Sequence, residues 1–103
     1  MLGFLKKLFG GSSTDYRALM DKGAVIIDVR SAAEFRDGHI PGSRNIPLEQ
    51  VGAKAAELKK AGKPVITVCR SGNRSGMAKA KLRAAGIDEV YNGGGWQSLI
   101  TKI

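Results

Sequence analysis

The feature that most constrains the fold is a short apolar stretch that ends in the only cysteine of the chain. Residues 65–68 run into Cys69, five short, polar or cationic residues (70–74) follow, and a helical pattern of apolar residues starts at Ser75. The β-prone run predicts a strand, and the apolar spacing beyond the loop predicts a helix. A strand, a tight loop and a helix in this order are typical of open α/β sheets, which bind ligands beyond the carboxyl ends of their strands.

The position of Cys69, between a predicted strand and a predicted helix, predicts that its side chain is a thiolate. Loop amides and the positive N-terminal end of the next helix favour an anion there, and Arg70 and Arg74 add positive charge. Gly72 and Asn73 suit the turn, since both tolerate positive φ and let successive N–H groups point at one centre. A thiol with a pKa near 8.5 is only about 3% ionised at pH 7. Lowering this pKa by about two units makes the thiolate the majority species. The alternative interpretation is a small buried hydrophobic residue.

The rest of the chain alternates apolar runs of strand length with apolar residues at helical spacing. This alternation predicts an α/β fold, a single domain with a doubly covered, mostly parallel sheet of about five short strands and helices on both faces. The runs that we interpret as strands are 24–28, 44–46, 65–68 and 90–91, the predicted helices begin near residues 15, 31, 48, 75 and 96, and a turn is predicted at 92–95.

Several charged residues lie where they can support the cysteine. Asp28 ends an apolar run and lies on the same side of the sheet as Cys69 if the two strands are parallel; we expect it to accept hydrogen bonds from loop amides or an arginine, with proton transfer as the alternative. Arg30 and Glu34 are four residues apart and are predicted to pair on a short helix. His39 is not predicted to act as a base, because a loop-stabilised thiolate needs none.

Composition excludes several functional classes. One cysteine and one histidine, far apart in sequence, allow neither an internal disulfide nor a single-chain zinc site, so we expect no metal and no other cofactor. The net charge is +8, but the seventeen basic residues are spread along the chain with little aromatic interleaving, which argues against nucleic acid. A reactive thiolate fits a reduced compartment, and we therefore expect a cytoplasmic protein.

Residues 1–12 are predicted to lie apart from the domain formed by 13–103. Apolar residues at positions 1, 2, 4, 5, 8 and 9 make this segment amphipathic, and a Gly-Gly-Ser joint follows it. It lacks the features of a signal peptide and is too short to span a bilayer. We expect a frayed terminus or, alternatively, a weak contact with a membrane surface or a partner.

Three motifs make the chain resemble the single-domain rhodaneses, the thiosulfate:acceptor sulfurtransferases. They occur in the family's order and the resemblance covers residue 13 to the C-terminus. The motifs are Asp-Val-Arg at 28–30 followed by Glu-Phe at 34–35 and Gly-His-Ile-Pro-Gly-Ser-Arg-Asn-Ile-Pro at 38–47, Cys-Arg-Ser-Gly-Asn-Arg at 69–74, and Gly-Gly-Gly-Trp at 93–96. The resemblance places His39 in a structural turn. It also implies the α/β fold already predicted from the pattern.

The resemblance implies sulfur transfer through a persulfide on Cys69. A sulfane sulfur would pass from thiosulfate, or from a persulfide donor, to cyanide or to a thiol acceptor such as glutathione or thioredoxin. The residues expected to form the substrate-binding loop are Arg70, Ser71, Gly72, Asn73, Arg74 and Ser75, with Asp28 and Arg30 in support.

Two other functions remain open at this point. Cysteine-dependent phosphatases and arsenate reductases also hold a thiolate in an anion-binding loop, but they place five residues between the cysteine and the arginine. In this chain Arg74 comes after four residues, so the loop is smaller and better matched to one sulfur atom than to phosphate. A non-catalytic rhodanese-like binding module is the third possibility, and the presence of Cys69 argues against it.

Overall fold

A computed structural model of the protein describes residues 13–103, and the amphipathic pattern predicted for residues 1–12 lies outside that range. The described chain alternates helices and strands as predicted. In chain order the elements are α1 (Tyr16–Asp21), β1 (Val25–Asp28), α2 (Ala32–Asp37), β2 (Arg44–Asn45), a 3₁₀ turn (Leu48–Gln50), α3 (Val51–Ala61), β3 (Val65–Cys69), α4 (Asn73–Ala84), β4 (Val90–Gly95), α5 (Trp96–Leu99) and a second 3₁₀ turn (Ile100–Lys102).

The strands form one sheet in the order β2-β1-β3-β4, and every pairing in it is parallel. The α/β fold class is confirmed. The described residues form four strands where about five were expected, and the helix predicted to begin near residue 15 is α1. Asp15 begins that helix by accepting a hydrogen bond from the Ala18 N–H at 3.0 Å, and side-chain capping of this kind favours α1 over an extended strand.

Two apolar clusters cover the two faces of the sheet, because side chains alternate along each strand. Ile27 and Val65 belong to the first cluster, with Val51, Ala55 and Leu58 of α3 and Ala78 and Leu82 of α4. Ile26 and Ile66 belong to the second, with Leu19 of α1 and Leu99 of α5. The helices therefore lie on both faces, as the continuous apolar strands predicted.

The register of the sheet brings the carboxyl ends of β1 and β3 together. Asp28 is the partner of Val68, so Cys69 lies one residue beyond the end of β1. On the other side, β4 continues to Gly95, which is the partner of Cys69 after an irregularity in the ladder between Thr67 and Cys69. The turn predicted at 92–95 was therefore wrong: these residues belong to β4, and Gly94, with φ +79°, lies at the irregularity in the ladder. In the described part of the chain, we find no helix long and apolar enough to cross a bilayer.

Candidate active site

Cys69 lies at the end of β3 inside a loop that points hydrogen-bond donors at its sulfur. The residue is only 1% exposed, and its Sγ accepts a hydrogen bond from the Gly72 N–H at 3.0 Å. The Ser75 hydroxyl lies 3.4 Å from the same sulfur. Gly72 has φ +105°, a left-handed conformation that favours glycine and that turns its N–H back toward the sulfur. We call residues 69–75 the Cys69 loop.

The loop makes the thiol more acidic than an ordinary cysteine. Burial raises the pKa of Cys69, but hydrogen bonds from the Ser75 side chain and from the backbone N–H groups of Ser75, Ser71 and Gly72 outweigh it, so the pKa is lowered overall. The donors have this effect because they stabilise the charged form of the sulfur. The sequence-based prediction of a stabilised thiolate agrees with this direction.

The start of α4 is held over the end of β3 by side-chain hydrogen bonds. The hydroxyl of Thr67, which is fully buried, donates to the carbonyl of Ser75 at 2.8 Å. Ser75 is itself fully buried, and its hydroxyl donates to Asn92 Oδ1 at 2.6 Å. Asn92 Nδ2 donates in turn to the Gly72 carbonyl at 3.1 Å. These bonds connect β3, the Cys69 loop and β4 into one network around the sulfur.

The glycines of β4 allow this strand to pass directly against the Cys69 loop. A Cβ atom placed on Gly95 would lie 2.8 Å from the Arg70 carbonyl oxygen, closer than real Cβ atoms come to other atoms. The glycine-rich motif that carried part of the family resemblance therefore packs against the loop backbone. Any side chain at this position would displace the loop that surrounds the sulfur.

The two arginines of the loop have different environments. Arg74 forms two hydrogen bonds with the Glu34 carboxylate, at 2.8 and 3.0 Å, and the pair is about one-third exposed. This pairing raises the pKa of Arg74, while Arg74 and the Ser31 backbone N–H lower the pKa of Glu34 to about 2. Arg70 is exposed at the surface of the loop. Of the two predicted donor-binding arginines, Arg74 is therefore held in an ion pair, whereas Arg70 has no ion pair within the described residues.

The remaining loop residues lie at its outer surface. Ser71 is exposed at the top of the loop, and Asn73 is exposed as the first residue of α4. Ser71 contributes its backbone N–H to the hydrogen bonds that lower the pKa of Cys69. The structure therefore brings together the predicted loop residues 70–75 around the sulfur, but through backbone groups and the Ser75 hydroxyl more than through side-chain charges.

Asp28 and Arg30 form a buried ion pair beside the loop. Arg30 Nη2 lies 2.6 Å from Asp28 Oδ2, with side-chain exposures of 6% and 0%. The same nitrogen donates to the Gly38 carbonyl at 2.7 Å, and the guanidinium lies 4.8 Å from the centre of the Trp96 ring. Asp28 is thus an acceptor for an arginine, and the pair connects the end of β1 to the ends of α2 and β4.

The predicted side-chain pairing of Arg30 with Glu34 was wrong. Arg30 donates to the backbone carbonyl of Glu34 at 3.3 Å, while the Glu34 carboxylate binds Arg74. The i,i+4 rule does not apply because α2 begins at Ala32, so that Arg30 lies outside the helix.

His39 stacks on Phe35 with ring centres 3.7 Å apart, and its Nδ1 lies 2.7 Å from the Phe35 carbonyl. These contacts agree with the structural turn in which the family resemblance places His39.

A polar cleft of about 300 Å³ lies beside the Cys69 loop, lined by Arg30, Glu34, Asp37, Arg70, Trp96 and Gln97. A larger apolar cavity of about 450 Å³ lies at the opposite part of β1, against Val25, Ile26 and Leu58. The larger cavity contains no residue of the Cys69 loop. The smaller cleft contains Arg70 of the Cys69 loop.

Sequence reasoning missed three residues of this site. Glu34 pairs with Arg74 across 40 positions, Asn92 bridges the loop and β4, and Trp96 lies under Arg30. Glu34 and Trp96 lie within the motifs quoted above, but nothing in those motifs indicates their partners. Asn92 directly precedes the glycines of β4, and that position is the only signal it carries in the sequence.

These features together define a small α/β domain with an acidified cysteine in a strand-to-helix loop. Comparison with known proteins then identifies the family, since the family model for the rhodanese-like domain matches residues 12–101. The chain belongs to the rhodanese-like domain family. This confirms the resemblance seen in the three sequence motifs.

Individual relatives agree with this assignment. The uncharacterized protein YqhL of Bacillus subtilis is 46% identical over 69 residues, which cover 67% of this chain and 54% of YqhL. The thiosulfate sulfurtransferase GlpE of Pseudomonas savastanoi pv. phaseolicola is 37% identical over 76 residues, covering 74% of this chain and 71% of GlpE. A solved rhodanese with anions from E. coli superimposes with a TM-score of 0.66 at 33% identity, covering 72% of this chain and 88% of that one. The chain thus spans about half the length of YqhL and most of the length of the other two.

Proposed function

We propose that this protein is a thiosulfate sulfurtransferase that carries a sulfane sulfur as a persulfide on Cys69. The observation that carries the proposal is the position of Cys69 Sγ, buried and hydrogen-bonded to the Gly72 N–H at 3.0 Å, in a thiol whose pKa is lowered. A merely structural buried cysteine needs no convergent donors. The relation to GlpE, a thiosulfate sulfurtransferase, supports the choice of donor.

The loading step is a displacement at sulfur. The Cys69 thiolate attacks the outer sulfur of thiosulfate, a new S–S bond forms, and the original S–S bond breaks as sulfite leaves with its electron pair. The total charge is unchanged, and no oxidant is needed. The N–H groups that stabilise the thiolate also stabilise the persulfide anion, because both place negative charge inside the same loop. Arg70 is expected to bind the sulfonate end of thiosulfate at the loop surface.

The unloading step requires an external acceptor. The chain has one cysteine, so a persulfide on Cys69 has no second thiol with which to form an internal disulfide. We expect cyanide, a small thiol such as glutathione, or a reduced dithiol protein such as thioredoxin to remove the sulfur. A reduced compartment, the cytoplasm, fits this chemistry.

Intact-mass measurement tests the proposal directly. Protein treated with thiosulfate and desalted is expected to gain one sulfur atom, and to lose it when cyanide or a thiol is added. Cys69→Ser is the matched control, since its hydroxyl is nearly isosteric with the thiol but stays protonated at pH 7. Thiocyanate formation by Cys69→Ser, or a failure of thiosulfate and persulfide donors alike to load the native protein, would refute the proposal.

The phosphatase or arsenate reductase alternative is tested in the same samples. The loop has four residues between Cys69 and Arg74, and Arg74 is paired with Glu34 instead of facing the sulfur as a free cation. A tetrahedral oxyanion needs more donors than such a loop offers. We expect no hydrolysis of an aryl phosphate, and turnover of one by the native protein but not by Cys69→Ser would favour the alternative.

A further inference from the structure

We propose that Asn92 is a positioning residue that controls how readily Cys69 loses its proton, because it competes with the sulfur for the single hydroxyl proton of Ser75. The proposal rests on the proposed use of Cys69 as a nucleophile. It assigns a role to a residue of β4 that contacts neither the sulfur nor the polar cleft.

Ser75 has one proton to donate and two neighbours that can accept it. Its Oγ lies 2.6 Å from Asn92 Oδ1 and 3.4 Å from Cys69 Sγ. The residue is fully buried, so the balance between these two acceptors is decided within the protein. An O–H···O contact at 2.6 Å is close to the ideal length, and the shorter contact therefore holds the proton when Cys69 is neutral.

The amide of Asn92 is held in the orientation that presents its oxygen to Ser75. The Gly94 N–H donates to Oδ1 at 2.9 Å, and Nδ2 donates to the Gly72 carbonyl at 3.1 Å. The Asn92 carbonyl accepts a hydrogen bond from the Tyr16 hydroxyl at 3.1 Å, which holds the backbone of this residue. A flipped amide would place its NH₂ group against the Gly94 N–H and its oxygen against a carbonyl, so only the observed orientation satisfies all partners.

The two protonation states of Cys69 then use the Ser75 proton differently. In the thiol, Cys69 S–H donates to Ser75 Oγ and the Ser75 hydroxyl donates to Asn92 Oδ1. In the thiolate, the sulfur proton has left to solvent and the Ser75 hydroxyl turns toward the sulfur, while Asn92 Oδ1 keeps only the Gly94 N–H. Ionisation thus costs one hydrogen bond to Asn92. The residue keeps the thiol less acidic than the loop would make it on its own.

The charged groups near Cys69 are held in contacts that do not involve the Asn92 side chain. Asp28 is paired with Arg30 at the end of β1, and Glu34 of α2 is paired with Arg74 of α4. Arg70 is exposed in the loop, and the hydroxyl of Tyr91 in β4 lies 3.5 Å from Glu89, away from this network. None of these groups hydrogen-bonds to the Asn92 side chain in the described structure, so an uncharged substitution of Asn92 leaves the ion pairs around Cys69 unchanged.

The test measures the rate of Cys69 alkylation by iodoacetamide as a function of pH, which needs no sulfur donor. Asn92→Leu keeps the branched shape but removes the acceptor, and is expected to lower the thiol pKa by about 0.7 unit, a fivefold rise in the thiolate-to-thiol ratio. Asn92→Asp keeps and strengthens the acceptor and is expected to raise the thiol pKa. Both variants lose the hydrogen bond to the Gly72 carbonyl. If Asn92 had only a structural role, both variants would therefore raise the pKa of the Cys69 thiol.

Substitution of Ser75 tests whether Asn92 acts through that hydroxyl. In a Ser75→Ala background, Asn92→Leu is expected to have no further effect on the thiol pKa. Ser75→Ala alone is expected to raise the thiol pKa by only about 0.3 unit. If the Ser75 hydroxyl donated to the thiolate without competition from Asn92, its loss would raise the thiol pKa by about one unit or more.

A rise in thiol pKa in Asn92→Leu, or an unchanged effect of Asn92→Leu in the Ser75→Ala background, would overturn the proposal. If Asn92→Leu does not fold, Ser75→Ala alone decides, and a rise of one unit or more overturns it. Alkylation reports the sole thiol whether or not a persulfide forms. A failure of sulfur loading therefore refutes the proposed function and leaves this inference to be judged on the alkylation profiles.

Discussion

Removal of the buried carboxylate at Asp28 provides the sharpest energetic test of the structure. Asp28→Asn is nearly isosteric, but it leaves the Arg30 guanidinium without a counter-charge at a site where the two side chains are 0% and 6% exposed. Loss of one partner of a buried pair costs about 3–5 kcal/mol, since the remaining charge stays desolvated. The hydrogen bonds of Arg30 to the Gly38 and Glu34 carbonyls keep the guanidinium in place, so it does not escape to solvent easily.

The matched control is Glu57→Gln, which breaks an ion pair of the same chemistry at the surface. Glu57 Oε2 lies 2.6 Å from Arg44 Nη1, but these side chains are 53% and 46% exposed. Exposed pairs contribute little to stability, because water solvates both charges when the pair is broken. The two substitutions therefore make the same chemical change and differ mainly in burial.

Urea unfolding followed by the fluorescence of Trp96, the only tryptophan, measures both variants. With an m value of about 1.5 kcal/mol/M, Asp28→Asn is expected to lower the unfolding midpoint by about 2–3 M. Glu57→Gln is expected to lower it by less than about 0.7 M. Similar small shifts in both variants would refute the reasoning, since they would show that the Asp28 site is solvated in solution.

Three further predictions concern the loop. Arg70→Ala is expected to raise the KM for thiosulfate about tenfold with little change in kcat, since a charge-assisted contact at the surface is worth about 1.4 kcal/mol, and an unchanged KM in steady-state assays would contradict this role. Arg74 holds the pKa of Glu34 at about 2, below its usual 4.5, so the pair contributes stability that is complete above about pH 4.5 and is lost as the pH falls toward 2. Thermal unfolding between pH 5 and 2 should show a smaller dependence on pH in Glu34→Gln than in the native protein, and parallel curves would count against the pairing. Gly95→Ala should raise the pKa of the sole thiol and lower turnover by displacing the Arg70 carbonyl, whereas the control Gly52→Ala, in an open position on α3, should raise stability by up to about 1 kcal/mol and leave activity unchanged. Equal activity of these two glycine variants would contradict the close packing of β4 on the loop.

The local part of the site could be predicted from the sequence. The strand at β3, the position of Cys69 at its end and the helix that follows are all encoded within about twenty residues, where apolar spacing and turn residues act directly on the backbone. The acidified thiol follows from the same stretch, since the N–H groups that bind the sulfur belong to the next few residues. Signals of this kind do not depend on which strands become neighbours.

Only the tertiary structure decided which side chains support the cysteine. Arg74 pairs with Glu34, 40 positions away, and Ser75 donates to Asn92, 17 positions away, because the strand order places β1 and β4 on either side of β3. The i,i+4 spacing favoured a pair of Arg30 with Glu34, but the buried carboxylate of Asp28 attracts that arginine more strongly, since a charge removed from water needs a counter-charge at contact distance. Long-range partners of this kind depend on the packing of the whole sheet, and no local window of the sequence contains that information.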